Sequence, residues 1–255
     1  IELGESRAWN WQQGCMLQWR PGSDYEVIWN DRVDGRFVCH ILNIKTGEKR
    51  TIPRAIYTIS PDGKWAMAPD FERIQDMRPG YGYAGIPDPN ARELRPEDSG
   101  IYKINMDTGE SELVISLYHI ADIPFEKEDL SSAKHYFNHL LFNTDGSRFI
   151  FLHRWRQYDS EQYKTVGGFG TRMFTASPDG ESIRVIDLYG YTSHFIWRDP
   201  QYILAWARVP SHGSAFYLFE DAKEENIQPV GLNVMTKNGH CTYLPGNDYI
   251  LNDCY

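Results

Sequence analysis

Short apolar runs alternate with turn-forming clusters along the whole chain, and the runs come in fours. Residues 15–19, the turn Arg20-Pro21-Gly22-Ser23 and residues 25–29 read as two strands joined by a turn. Residues 37–44, Thr46-Gly47-Glu48 and residues 49–52 make a second pair. The next unit repeats the plan: 56–59, Ser60-Pro61-Asp62-Gly63 and 65–67, then 101–104, Asp107-Thr108-Gly109-Glu110 and 113–115. A third unit runs from His139 to Leu152 and continues through 172–175, Ser177-Pro178-Asp179-Gly180 and 183–186. A fourth runs from His194 to Leu204, then 215–218 and 227–230, and a fifth opens at His240 and reaches Tyr255 after one hairpin.

Four strands per unit, with the same types of turn in the same order, predict an all-β fold, a β-propeller of four-stranded blades. A β-sandwich shares the alternation but not the ordered recurrence of turns. Residues 1–255 read as a single propeller domain with about four and a half blades. Closed propellers usually need more, and an open one leaves unpaired strand edges. The domain is therefore expected to be incomplete at its C-terminal end, with further chain beyond Tyr255 or a partner over the edges.

Three of the units open on a histidine in one small pattern: His139-Leu-Leu-Phe142, His194-Phe-Ile-Trp197 and His240-Cys-Thr-Tyr243. Met16 and Ile56 hold that position in the first two units, so the fold does not demand histidine there. Imidazoles at equivalent heights facing one funnel suit metal binding or proton transfer; the competing reading is three separate histidines bonded to backbone. The far ends of the partner strands carry Asn30, Asp70, His153, Arg208 and Cys254. Cys254 beside His240, completed by His194, makes a candidate site for one divalent metal, zinc before manganese, with Asp253 as the neighbouring alternative ligand.

Composition narrows the partners. A net charge of −9 excludes a general affinity for duplex nucleic acid, which needs a basic face. No apolar run is long enough to span a bilayer. The four cysteines have no C-x-x-C spacing and imply no disulfide framework. Aromatic residues make up 14% of the chain, which favours strands. Two insertions interrupt the units, at 70–100 and 117–134, and long loops on a rigid scaffold commonly build a binding face. The first contains Arg78-Pro79-Gly80-Tyr81-Gly82-Tyr83, in which Tyr81 and Tyr83 are candidate platforms for sugar rings and Arg78 a candidate anion contact; the second contains His119.

The H-x-x-aromatic strand heads, the histidine-rich funnel and the Tyr/Gly loop resemble the β-propeller polysaccharide lyases, the ulvan lyases and, more distantly, the oligogalacturonate lyases. The resemblance implies a seven-bladed propeller, a secreted or periplasmic location and an anionic polysaccharide as substrate. It implies β-elimination of a uronic-acid polymer, with His119, His139 and Tyr191 as the proton-transfer groups and Arg208 neutralising the uronate carboxylate. Tyr189 and Arg198 stand close enough in sequence to compete for the last two roles. His240 matches a further groove histidine, and His194 and His240 match metal ligands of the oligogalacturonate lyases. Their additional His-x-His ligand is missing, because Thr242 stands in its place. A hydrolase would need paired carboxylates facing the groove, and only Asp70 stands out. The alternative from another class is a non-catalytic propeller that binds carbohydrate or protein.

Overall fold

Four four-stranded antiparallel sheets and a fifth hairpin follow one another in the computed structural model, which describes residues 2–157 and 168–254, with backbone alone at Glu224, Glu225 and Cys254. The first sheet holds β1 (Gln18–Trp19), β2 (Glu26–Val33), β3 (Arg36–Asn43) and β4 (Lys49–Ile52). The second holds β5 (Thr58–Ile59), β6 (Trp65–Pro69), β7 (Gly100–Asn105) and β8 (Ser111–Ser116). The third holds β9 (Ala133–Phe142), β10 (Phe149–Gln157), β11 (Gly170–Ala176) and β12 (Arg184–Val185). The fourth holds β13 (Phe195–Trp197), β14 (Tyr202–Val209), β15 (Gly213–Glu220) and β16 (Lys223–Val230), and the hairpin is β17 (Gly239–Tyr243) with β18 (Ile250–Cys254). Within each sheet the strands lie in chain order, as meanders.

The turns follow their residues. Gly63 takes φ +72° in the Ser60-Pro61-Asp62-Gly63 turn, where its N–H donates to the Ser60 carbonyl at 2.8 Å. Asp34 and Gly35 both have positive φ, +47° and +74°, as a two-residue hairpin between β2 and β3 requires.

The chain divides into two compact units, Ile1–Leu140 with Arg154–Phe169, and Leu141–His153 with Gly170–Tyr255. In the first, Ile28, Cys39 and Ile41 of one sheet pack on Ile59, Ala66 and Ile104 of the next. In the second, alternate residues of β14 divide between two cores. Ile203, Ala205 and Ala207 join Ile150, Leu152 and Met173, while Leu204 and Trp206 join Cys241 of the hairpin. A strand buried on both faces reads as a continuous apolar run, as residues 203–207 do. Meander sheets packed face to face in succession are the β-propeller plan.

The insertions carry two short helices, α1 (Phe71–Met77) and α2 (Leu117–Ala121). Arg73 on α1 is fully buried and organises the first insertion. Its guanidinium pairs with Asp88 at 3.0 Å and donates to the carbonyls of Asn90, Glu93 and Leu94 and to that of His135 on β9. β9 starts at Ala133, well before the strand head expected at His139. Its polar start hides it: Lys134 and His135 are both buried, Lys134 on Asp76 of the insertion.

Candidate functional site

In the first unit, a Tyr–His pair stands beside two arginines without acidic partners among the described residues. His139 has φ +52°, close to the +57° of Met16, its equivalent in the first unit of the repeat. A left-handed conformation is uncommon outside glycine, and inside a strand it re-aims the side chain. The ring lies edge-on to Tyr57, with Nδ1 3.0 Å from the phenol oxygen. Tyr57 precedes β5 and stacks on Phe71 of α1. Burial pushes its pKa up to about 12, against hydrogen bonds from the Gln13 side chain and the His139 backbone and against the charge of Arg154.

Arg78, just past α1, places its guanidinium carbon 3.3 Å from the centre of the Tyr81 ring and 4.6 Å from that of Phe169. Arg154 of β10, itself buried, lies 4.5 Å from the same Phe169 ring. Burial and then the Arg154 charge lower the pKa of Arg78. Among the described residues, Arg78 Nε and Arg154 Nε and Nη1 have no hydrogen-bond partner, and neither guanidinium has an ion pair. Tyr136 and Asn138, two apart on β9, are buried with the Tyr136 hydroxyl and Asn138 Oδ1 likewise unpaired among the described residues. Like charges sharing one ring away from water are unfavourable without an anion between them. Two guanidiniums so placed beside an imidazole are chemically suited to a carboxylate, sulfate or phosphate group.

Other expected residues fall elsewhere. Tyr83, expected as a sugar platform, is a core residue: fully buried, stacked on Phe71 at 4.2 Å and hydrogen-bonded through its hydroxyl to Asn30. Its glycine-flanked sequence does not reveal that Asn30, bonded also to Ile56, reaches it across 53 residues. Asp70 and His153 are likewise internal: Asp70 holds Arg54, Ser99 and the Gly100 N–H, and His153 is fully buried. His119 is exposed on α2, and among the described residues its side chain makes no hydrogen bond, ion pair or ring contact.

In the second unit, Tyr191 and Arg208 are together: the guanidinium carbon sits 4.1 Å from the ring centre, and Nε donates to Ser214. The fully buried Asp187 carboxylate collects the N–H groups of Tyr189, Gly190 and Tyr191 and the Thr192 hydroxyl. That turn leaves Tyr191 exposed while Tyr189 packs on the core; Arg198 is taken by Asp199.

His194 and His240 also meet, with ring centres 4.4 Å apart. His194 Nδ1 is bonded to Asn238 and His240 Nδ1 to Asp253. Asp253 is the register partner of His240, and Cys254 that of Gly239; the Cys254 side chain lies outside the described residues. Among the described residues, no group of three or more His, Cys, Asp or Glu is disposed to hold a metal ion.

A cavity of about 280 Å³ in the first unit is lined by Phe37, Arg54, Phe71 and Glu72 among others. Burial, reinforced by the charge of Asp70, raises the Glu72 carboxyl to about 7. The folded state then binds a proton that the unfolded chain releases near its ordinary value of 4.5, so stability falls as pH rises from about 4.5 to 7. Glu72→Gln is expected to abolish that component, at most about 3 kcal/mol. Urea midpoints of the variant and parent should coincide at the acid end of this window and separate above it, the variant being the more stable. Equal midpoints throughout would show Glu72 to be solvated.

No family model matches the chain, and no curated protein matches it. Among solved structures it is similar to an oligogalacturonate lyase in complex with manganese, at 13% identity and TM-score 0.52, over 89% of this chain and 55% of that one. It is similar also to the acylaminoacyl peptidase of Pyrococcus horikoshii, at 13% identity and TM-score 0.50, over 89% of this chain and 33% of that one. The β-propeller domain of the Trilobed protease from Pyrococcus furiosus matches at 15% identity and TM-score 0.43, over 81% of this chain and 55% of that one. The chain spans about half or less of the length of these structures. The first two support the fold. No helix among the described residues is long and apolar enough to cross a membrane.

Proposed function

We propose that the chain carries the reaction centre of a polysaccharide lyase that cleaves a uronic-acid polymer of the ulvan type by β-elimination. The observation that supports this is the pair Arg78 and Arg154, unpaired among the described residues, beside the hydrogen-bonded Tyr57 and His139. A uronate carboxylate is an anion of the charge and shape that these guanidiniums suit. Held against two guanidiniums, it accommodates the charge that develops when the neighbouring C5 proton leaves. Burial keeps Tyr57 a phenol at neutral pH, so His139 is the base. With its own proton on Nδ1, directed to the Tyr57 oxygen, neutral His139 takes the C5 proton at Nε2. The C5–H electron pair becomes the C4=C5 bond, the C4–O bond breaks, and the leaving oxygen takes a proton from the imidazolium. Considered by itself, the second unit offers an exposed guanidinium, Arg208 on Tyr191, of the kind that binds a carboxylate.

The test is to incubate the full chain with ulvan, polygalacturonate and glycosaminoglycans and to follow the ultraviolet absorbance of the unsaturated product. Absorbance is expected to rise with at least one polymer and to depend on Arg78, as an Arg78→Ala variant reads out. Binding without product from any polymer would favour the carbohydrate-binding platform instead. Neither binding nor product would end the reading.

A further inference from the structure

We infer that the loop of residues 9–14 is a sugar-binding subsite, in which the exposed indoles of Trp9 and Trp11 take the pyranose rings next to the uronate held at Arg78. The inference rests on the lyase reading and adds to it the recognition of neighbouring sugars.

The loop is built around Asn10. That side chain is buried, and its Oδ1 accepts the N–H groups of Gln12 and Gln13 at 3.1 and 2.7 Å. Asn10 and Gly14 also exchange backbone hydrogen bonds, at 3.2 and 3.0 Å. With Asn10 turned inward, the flanking indoles point out, Trp9 67% and Trp11 64% exposed. Neither is loose. Trp9 lies over Gly14, where a Cβ would stand 3.0 Å from its ring. Trp11 rests on Gly80, where a Cβ would stand 2.8 Å from the indole, and the Trp11 backbone N–H donates to the Gly80 carbonyl. Its ring also meets Tyr81 edge-on at 4.8 Å, and Tyr81 is the ring that carries Arg78. From the same loop, the Gln13 side chain bonds the Tyr57 phenol that pairs with His139.

The loop thus touches both the anion-binding and the proton-transfer parts of the centre, and it holds two large aromatic faces in water at little conformational cost. The C–H face of a pyranose matches an indole face, while the hydroxyl rim stays hydrated. A polymer whose uronate sits at Arg78 runs its next residues past Tyr81 and so past Trp11.

The test measures affinity by calorimetry for uronate oligosaccharides of two, four and six sugars. It uses the full chain in a His139→Gln background to prevent turnover. Affinity is expected to rise with length, and Trp11→Ala is expected to remove about tenfold of that rise, about 1.4 kcal/mol, while leaving the disaccharide affinity unchanged. Trp11→Phe should retain most of it. If Trp11→Ala and Trp9→Ala bind every length as the background protein does, the subsite is wrong and the lyase reading stands. If the background protein binds no uronate oligosaccharide, the lyase reading itself fails.

Discussion

Arg73→Met is expected to destabilise the protein by about 3–5 kcal/mol, the range for breaking a buried ion pair from one side. The Arg73 and Asp88 side chains are each 2% exposed, so neither charge can turn to water. Methionine fills the volume but leaves the Asp88 carboxylate without its cation, holding only the Asn90 N–H, and the carbonyls of Asn90, Glu93, Leu94 and His135 without their donor. Urea denaturation of parent and variant reads the effect. The double variant Arg73→Met, Asp88→Leu should recover part of the loss, because it also removes the stranded charge. A loss below about 1 kcal/mol would show that the insertion holds without this pair. α1 leads directly into Arg78 and Tyr81, so the variant should also weaken uronate binding.

His139→Gln is expected to lower kcat/KM on a uronic-acid polymer by roughly 10²- to 10⁴-fold, the usual contribution of a positioned general base. The ring is only half-buried, so the urea midpoint should change little. Tyr57→Phe keeps the stack on Phe71 and deletes only the oxygen at Nδ1, so its loss should be smaller and fall on kcat rather than KM. In the parent, the rate should drop on the acid side as one group takes up a proton. His139→Gln should lack that limb. A His139→Gln protein with parental turnover would remove the imidazole from the reaction.

The two effects differ in how visible they were along the chain. His139 stands out because it recurs at a repeat position where Met16 and Ile56 show that histidine is optional. Arg73 sits inside an insertion with no periodicity to interpret. Its partners lie 15 to 62 residues away, and only folding reveals that they converge. Tyr57 and Tyr83 show the same limit: Tyr57 reads as an ordinary strand aromatic yet borders an imidazole, and Tyr83 reads as a sugar platform yet fills the core.

What the sequence determined by itself was the repeating meander. Glycine at positive φ in a turn and the count of apolar residues between turns are local properties, and local sterics suffice to specify them. The tertiary structure decided which arginines have acidic partners, which tyrosines are buried and which histidines touch. Burial and the field at a charge depend on groups brought close by folding, and spacing along the chain carries almost none of that information.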